Sequence, residues 1–359
     1  MIDLTALKVE WLITRRCNLS CSYCKVRNNE FPNELNLSQR KQVLEVIAKL
    51  SPNTTVVVFG GEPLTLKDDL IEVIRHGNEQ GLYMVVISNS VGLTDEYMKR
   101  LVDAGLKNWS TSIDTLKTNS VDQSTLKRAQ TGLDALRRFR KLGVDDRVTC
   151  TTVTAKNFEE MPELTRTLSK EGIWVIHTLL QKAGGEYNYS QPYTEVSSML
   201  VPVEKRREFE RVAEELYWMA KSGNYRMHNT PEYYLLWTRL LDHNIRCSKK
   251  SVLTVDADGS LMRCVDFYQG LDFFKVWDLL DEKKREAYLE KLKEAPACSK
   301  GCTWDPMICS SVRNAFYDKE IGKASFRHEI NPAEFEKITG KTITKEEVES
   351  LFKWEKVQG

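Results

Sequence analysis

Runs of apolar and β-branched residues recur along the first half of the chain and alternate with amphipathic stretches. The runs predict six strands, at 9–14, 54–59, 83–88, 109–113, 148–154 and 173–180. Continuous β-branched runs are typical of strands that are covered on both faces, as in parallel sheets. The pattern therefore predicts a mostly parallel sheet with helices packed against it.

The amphipathic stretches between these strands have the periodicity of helices. They predict helices at 38–50, 67–79, 94–104, 124–142 and 159–171, with Ser38 as the N-cap of the first. A glycine follows each of four stretches, at Gly81, Gly105, Gly143 and Gly172, as expected at helix C-termini. Strands that alternate with helices form βαβ units. Six such units predict an α/β fold, a partial (β/α)6 TIM-like barrel.

Beyond residue 186 the pattern changes. Helices are predicted at 203–221 and 231–241, followed by a β-hairpin around Asp256-Ala257-Asp258-Gly259. We predict a barrel over residues 1–240, a small hairpin and helix domain over 241–315, and a charged helical tail over 316–359. Because the first predicted strand begins near residue 9, we expect no separate N-terminal peptide-clamping domain.

Composition excludes several classes of protein. Hydrophobic residues make up 41% of the chain, charged residues 29%, and the net charge is +1. This balance gives no indication of nucleic-acid binding, which usually shows a basic excess. The sequence has no apolar run long enough for a membrane span and no secretory signal. We therefore expect a cytoplasmic protein, in which cysteines serve as metal ligands or reactive thiols more often than as disulfides.

Three cysteines, Cys17, Cys21 and Cys24, follow the first strand in a C-x3-C-x2-C arrangement. A [4Fe–4S] cluster is normally held by four cysteine thiolates. Three thiolates in one short loop leave one iron without a protein ligand, so the spacing indicates a cluster with an open, reactive iron. A zinc site is the alternative, but zinc usually takes four ligands from pairs that are far apart in the sequence.

Polar residues and glycines follow the later strands of the predicted barrel. The second strand is followed by Gly60-Gly61-Glu62-Pro63, the third ends at Ser88, and the end of the fourth carries Ser112, with Asp114 beyond. In barrels of this kind, the loops after the carboxyl ends of the strands carry the chemistry. The sequence therefore predicts that these residues lie near the cysteine loop.

The cysteine motif, with Tyr23 before its last cysteine, and the Gly-Gly-Glu-Pro segment together resemble the radical S-adenosylmethionine (radical SAM) superfamily over residues 8–185. The resemblance implies that the cysteine triad holds a [4Fe–4S] cluster whose open iron binds S-adenosylmethionine. It further implies that Gly60, Gly61 and Glu62 receive the methionine amino group. Contacts with the ribose or the carboxylate would come from Ser88, Ser112 and Asp114, and Tyr23 would flank the adenine.

A second cysteine group resembles the SPASM and twitch extensions of this superfamily. Its spacing is Cys247-x11-Gly259-x4-Cys264, followed by Cys298, Cys302 and Cys309. The resemblance implies one auxiliary [4Fe–4S] cluster, held by Cys247, Cys264 and two of the last three cysteines. A small zinc knuckle is the alternative.

Asp266 lies in a segment similar to the Cys-Asp-Phe-Tyr of sulfatase-maturing SPASM enzymes, where the aspartate is a general base. Here an additional residue, Val265, separates Asp266 from Cys264. A catalytic Asp266 and a solvent-facing turn aspartate are both retained as interpretations.

These observations predict a radical SAM oxidoreductase or maturase. It would cleave S-adenosylmethionine to a 5′-deoxyadenosyl radical and oxidise or cross-link its substrate, with the auxiliary cluster as electron acceptor. We expect a reductant such as flavodoxin or ferredoxin, and either a peptide side chain or a small molecule (a sugar, an aminocyclitol or a lipid-like compound) as substrate. The alternatives are a peptide epimerase with a cysteine hydrogen donor and a non-catalytic iron–sulfur or zinc-binding electron-transfer protein.

Overall fold

The computed structural model describes residues 8–21, 24, 26, 29–31, 33–117, 123–180, 199–235, 237, 252–262 and 272–294. The strands in these ranges are β1 (Lys8–Thr14), β2 (Thr55–Gly60), β3 (Tyr83–Ser88), β4 (Asn108–Ser112), β5 (Asp146–Val153), β6 (Trp174–Leu179), β7 (Val252–Val255) and β8 (Leu261–Met262). They form one sheet in the order β6-β5-β4-β3-β2-β1-β7-β8. The first six strands are parallel to their neighbours. The α/β fold predicted from the sequence is confirmed.

Helices cover one face of this sheet. They are α1 (Leu37–Leu50), α2 (Asp68–Glu79), α3 (Asp95–Asp103), α4 (Gln123–Lys141), α5 (Met161–Lys170), α6 (Arg206–Ser222), α7 (Pro231–Leu235) and α8 (Glu282–Glu294). Alternate residues of β1, namely Val9, Trp11 and Ile13, join the main hydrophobic core. Because successive side chains of a strand point to opposite faces, Leu12 lies on the other, concave face.

The start of α1 differs from the sequence prediction. Asn36, and not Ser38, is the N-cap: its side chain accepts the Gln39 N–H at 3.0 Å, and the Gln39 side chain accepts the Asn36 N–H. This reciprocal pair is a capping box. The N-cap therefore lies two residues before the predicted one, and the helix includes Leu37 and Ser38. The glycines predicted after the helices all have positive φ.

The hairpin predicted around residues 256–259 is present, and it extends the barrel sheet. Strand β7 pairs with β8 in antiparallel orientation and with β1 in parallel orientation. The guanidinium of Arg15 donates to both carboxylate oxygens of Asp256, at 2.9 and 2.7 Å, and both side chains are buried. Main-chain pairing therefore crosses the boundary predicted at residue 241, and the division into domains stays a prediction.

Aromatic side chains bury α7 against α6. Tyr233, Tyr234 and Trp237 are at most 1% exposed, and the Trp237 ring stacks on Phe209 with 5.0 Å between centroids. The interpretation of this segment as a packing helix is therefore confirmed over its described part. Helix α8 lies within the hairpin and helix segment predicted over 241–315, for which the mostly charged sequence gave no helix bounds. Among the described helices, none is both long and apolar enough to cross a bilayer.

Candidate functional site

The cysteine loop begins where β1 ends and is held by backbone contacts. The Cys17 N–H donates to Asn29 Oδ1 at 3.0 Å, and the Leu19 N–H points at the Cys17 sulfur at 3.4 Å. The Cys24 N–H donates to the carbonyl of Cys21 at 3.0 Å. Cys17 and Cys21 are partly buried and Cys24 is exposed. The loop thus holds its three thiols at the surface of the carboxyl edge of the sheet.

Gly60 and Gly61 allow the end of β2 to pack directly on this loop. The Gly61 N–H donates to Thr14 O and the Glu62 N–H donates to Arg16 O, both at 2.8 Å. A Cβ on Gly60 would lie 2.2 Å from Thr14 O, and a Cβ on Gly61 would lie 2.2 Å from Arg16 O. Gly60 also has a φ of 136°, which favours glycine. The glycine pair therefore positions the cysteine loop, whatever else it contacts.

Glu62 joins the ends of β2 and β3. Its carboxylate accepts the Leu64 N–H at 2.9 Å, the Ser88 hydroxyl at 2.7 Å and the Asn89 N–H at 2.7 Å, and the residue is 1% exposed. Burial raises the pKa of Glu62, and the three hydrogen bonds oppose that rise. The Asn89 amide donates to Asn18 Oδ1 at 2.8 Å, which links β3 to the cysteine loop.

Glu34 fixes the opposite side of the cysteine loop. It accepts the Thr14 hydroxyl at 2.9 Å, the Arg15 N–H at 2.8 Å and the Arg16 Nε at 3.1 Å. The Arg15 guanidinium also lies over the Phe31 ring, 4.9 Å from its centroid. In the sequence, Arg15 and Arg16 could have been recognised as site residues because they directly precede Cys17. Glu34 lies in no motif that would have marked it.

Asp114 and Ser112 lie on either side of the end of β4. The Asp114 carboxylate is 5% exposed; it accepts the Thr152 N–H at 2.9 Å and lies 3.4 Å from Arg128 Nη2. Ser112 is the last residue of β4, pairs with Cys150 of β5 and is partly buried. Sequence reasoning missed Arg128, whose Nη1 donates to the Cys21 sulfur at 2.7 Å. No local motif marks that contact.

The three thiols interact electrostatically. Burial raises the pKa of Cys17, and the charges of Glu62, Cys24 and Cys21 raise it further. Burial also raises the pKa of Cys21, whereas the charge and the hydrogen bond of Arg128 lower it. Mutual repulsion means that the loop holds three thiolates together best when positive metal ions lie between them.

This donor set fits an iron–sulfur cluster. Within the described residues, no three His, Cys, Asp or Glu side chains converge on a single metal-ion position. A cubane cluster does not require such convergence, because its thiolate ligands bind different irons.

A cavity of about 800 Å³ lies on the concave face of the sheet. Among the described residues that line it are Val85, Ile87, Ser110, Cys150 and Ile176. Ser110 and Ser112 share a face of β4, because they are two residues apart. The lining also includes the first residue of each strand from β1 to β6, and none of the predicted site residues that the structure describes, so the cavity extends to the amino ends of the strands, away from the cysteine loop.

Several predicted site residues lie outside the described residues. These are Tyr23, Cys247, Cys264, Asp266, Cys298, Cys302 and Cys309. Their roles stay predictions. Of the predicted set, the structure brings together the cysteine triad, Gly60, Gly61, Glu62 and Ser88, with Asp114 joined to Cys21 through Arg128.

Comparison with protein families and curated proteins finds one matching family and several distant relatives. Residues 11–168 match the model of the Radical SAM superfamily. The chain is 27% identical over 235 residues to an AdoMet-dependent heme synthase of Methanosarcina barkeri, covering 63% of this chain and 62% of that protein. It is 40% identical over 96 residues to a PqqA peptide cyclase of Bradyrhizobium diazoefficiens, covering 26% and 25%. The chain spans 41% to 62% of the lengths of the heme-related synthases that it matches.

Solved structures show the same fold at low identity. Native anSMEcpe with bound AdoMet has a TM-score of 0.56 at 17% identity, covering 92% of this chain and 96% of that chain. Streptococcus suis SuiB has a TM-score of 0.54 at 13% identity, covering 81% and 66%. Residues 11–168 are therefore similar to the Radical SAM superfamily, and the curated relatives of the chain are named as synthases and cyclases.

Proposed function

We propose that this protein holds a [4Fe–4S] cluster on Cys17, Cys21 and Cys24 and uses it to cleave S-adenosylmethionine reductively. The observation that carries the proposal is the junction at which Gly61 and Glu62 hydrogen-bond to the residues just before Cys17. When bound, the cluster supplies one electron to the sulfonium of S-adenosylmethionine, whose S–C5′ bond breaks to give methionine and a 5′-deoxyadenosyl radical.

Glu62 is suited to receive the ammonium group of the co-substrate. An ionised carboxylate has about four acceptor sites, and three are used by Leu64, Ser88 and Asn89. Within the part of the chain that the structure describes, the remaining acceptor site has no donor, so we propose that it accepts from a cation. An ammonium beside Glu62 also favours the ionised carboxylate and so opposes the rise in its pKa that burial causes. Gly60, Gly61, Ser88, Ser112 and Asp114 complete the proposed co-substrate contacts, with Tyr23 beside the adenine.

The auxiliary cluster belongs to the same proposal. Cys247, Cys264 and two of Cys298, Cys302 and Cys309 would hold one [4Fe–4S] cluster that accepts the second electron of substrate oxidation. Support comes from the β7–β8 hairpin, which lies between Cys247 and Cys264 in the sequence and is hydrogen-bonded to β1. A flavodoxin or ferredoxin in the cytoplasm would supply the first electron, and Asp266 would act as a base.

We propose a peptide side chain as the substrate, which is oxidised or cross-linked. Three comparisons support this choice: one relative is a PqqA peptide cyclase, and two structures of similar fold are anSMEcpe bound to a Kp18Cys peptide and SuiB bound to its precursor peptide SuiA. The second candidate is a small molecule. The longer match to heme synthases favours it.

The test is anaerobic reconstitution of the full chain with iron and sulfide, followed by addition of dithionite and S-adenosylmethionine. We expect 5′-deoxyadenosine from the wild type and none from Cys17→Ser. Iron content should be about eight per chain for two [4Fe–4S] clusters. A fully loaded protein that releases no 5′-deoxyadenosine would favour an electron-transfer protein.

The same assay separates the substrate classes. Loss of two hydrogens from a peptide encoded beside the gene supports oxidation or cross-linking, whereas solvent deuterium at an α-carbon without oxidation supports an epimerase. Turnover of a tetrapyrrole or another small molecule, with no change in any peptide, supports the second candidate.

A further inference from the structure

A guanidinium group lies against one of the three cysteine thiols. Arg128, in the second turn of α4, donates from Nη1 to the Cys21 sulfur over 2.7 Å, although the two residues are 107 positions apart. The Arg128 side chain is 13% exposed. Arginine keeps its positive charge at all pH values that proteins experience. Cys21 therefore faces a permanently charged donor that the tertiary fold places there.

Asp114 positions this guanidinium. Its Oδ2 lies 3.4 Å from Arg128 Nη2, and its Oδ1 accepts the Thr152 N–H at 2.9 Å. The Asn157 amide donates to the Asp114 carbonyl at 2.8 Å and to the Thr152 carbonyl at 2.9 Å. Asp114 is thus fixed to the ends of β4 and β5. The direction of the Arg128 side chain follows from this anchor, because one of its nitrogens is held while the other reaches Cys21.

Such a donor changes the energetics of electron uptake. The reduction potential of an iron–sulfur cluster depends on its net charge, on hydrogen bonds to its sulfurs and on solvent exposure. Partners of metal ligands tune the metal in the same way. A reduced cluster carries one more negative charge than an oxidised cluster. A positive donor at a ligand sulfur therefore stabilises the reduced form more than the oxidised form.

We infer that Arg128, positioned by Asp114, hydrogen-bonds the Cys21 ligand and raises the reduction potential of the cluster held by Cys17, Cys21 and Cys24. The inference rests on the proposed function, because it requires that cluster to bind. Its consequence is that the cluster accepts an electron from a weaker reductant than it would without Arg128. Asp114, on this account, is a positioning residue in addition to any contact with the co-substrate.

The test is a redox titration of the reconstituted full chain with dithionite, followed by EPR and without S-adenosylmethionine. The signal of the auxiliary cluster is taken from a variant in which Cys17, Cys21 and Cys24 are changed to serine. We expect Arg128→Met to lower the midpoint potential by at least 59 mV, which is a tenfold change in a one-electron equilibrium. Arg128→Lys should give a smaller shift, because it keeps the charge but not the planar fork.

Arg138→Met is the matched control. Arg138 lies on the same helix and pairs with the exposed Asp95, about 15 Å further along the axis at 1.5 Å per residue. The midpoint potential of the cluster in Arg138→Met should equal that of the wild type. An unchanged potential in iron-loaded Arg128→Met would overturn the inference. The same holds if Arg128→Met weakens S-adenosylmethionine binding while leaving the potential unchanged, since Arg128 would then act on the co-substrate.

A second measurement covers the case in which Arg128→Met fails to bind iron. Wild-type protein labelled with ¹⁵N in its arginine guanidinium groups should show a nitrogen coupling to the reduced cluster in pulsed EPR, and Arg128→Lys should lose it. No coupling in the wild type, or the same coupling in Arg128→Lys, overturns the inference. A wild type that binds no iron at the cysteine triad would instead overturn the proposed function.

Discussion

Replacing Gly61 with alanine should remove the cluster from the cysteine triad while leaving the chain folded. The new Cβ would lie 2.2 Å from Arg16 O, 2.6 Å from Arg16 C and 2.7 Å from Arg15 O. Unstrained contacts between such atoms begin near 3.5 Å, so the backbone before Cys17 must move by on the order of 1 Å. These atoms are main chain, and no side-chain rotation relieves the overlap.

The cost in stability is moderate. Movement of this backbone weakens the hydrogen bonds from Gly61 N–H to Thr14 O and from Glu62 N–H to Arg16 O. Each such bond contributes roughly 0.5–1.5 kcal/mol, so their loss lowers the free energy of unfolding by about 1–3 kcal/mol. Domains are typically stable by about 5–15 kcal/mol. The variant therefore stays folded, and its defect is the displaced cysteine loop.

The assay is iron per chain after anaerobic reconstitution, with thermal unfolding measured in parallel. We expect Gly61→Ala to hold about four irons where the wild type holds about eight, because one of two cubanes is lost. Gly143→Ala is the matched control: Gly143 has a φ of 85°, and a Cβ there meets nothing within 4 Å. It should lose stability by about 1 kcal/mol through backbone strain and keep its iron. A Gly61→Ala protein with wild-type iron content and wild-type affinity for S-adenosylmethionine would refute this reasoning.

Three further substitutions test other parts of the site and core. Glu62→Gln should weaken S-adenosylmethionine binding about 10- to 100-fold in equilibrium dialysis, since a hydrogen bond to a charged group contributes roughly 1.5–3 kcal/mol; equal affinity would contradict the proposed ammonium contact. Asp256→Ala leaves the Arg15 guanidinium buried without its carboxylate and should lower the free energy of unfolding by about 3–5 kcal/mol. Denaturant titrations should show much of that loss restored in Asp256→Ala/Arg15→Met, and no restoration would contradict a paired-charge origin. Burial lowers the pKa of His177 from the ordinary value of 6.5 to about 3. At pH values between these two, the unfolded chain therefore binds a proton at this histidine, whereas the folded chain does not. Stability should therefore be full above pH 6.5 and fall with decreasing pH, by about 2 kcal/mol at pH 5; His177→Gln should lose this part of the pH dependence, which unfolding curves at pH 7 and pH 5 would measure.

Local patterns in the sequence predicted most of the barrel. The strand predicted at 83–88 has the same bounds in the structure, and the one predicted at 148–154 begins two residues earlier, at Asp146. Buried parallel strands are continuous β-branched runs, so their signal lies within a few adjacent residues. The cysteine spacing and Gly-Gly-Glu-Pro are local in the same sense.

Contacts between distant segments could not be predicted in this way. Arg128 reaches Cys21 across 107 positions, and Arg15 reaches Asp256 across 241. Both arginines lie in segments with several other charged residues, and nothing in the local pattern separates a buried partner from a solvated one. The roles of Gly60 and Gly61 also emerge more fully from the structure, because close approach of two backbones depends on which strands are neighbours.

The pairing of β7 with β1 has a consequence for the cysteine triad. Strand β1 leads into the loop with Cys17, and β7 follows Cys247 by five residues in the sequence. Four register pairs join these strands, and the buried ion pair of Arg15 and Asp256 lies directly beyond them. A buried arginine without its carboxylate is strongly destabilising, so the chain before Cys17 takes its native position only when the hairpin is docked. We therefore predict that docking of the hairpin precedes, or accompanies, the ordering of the cysteine triad, so that metal binding by this triad requires a docked hairpin.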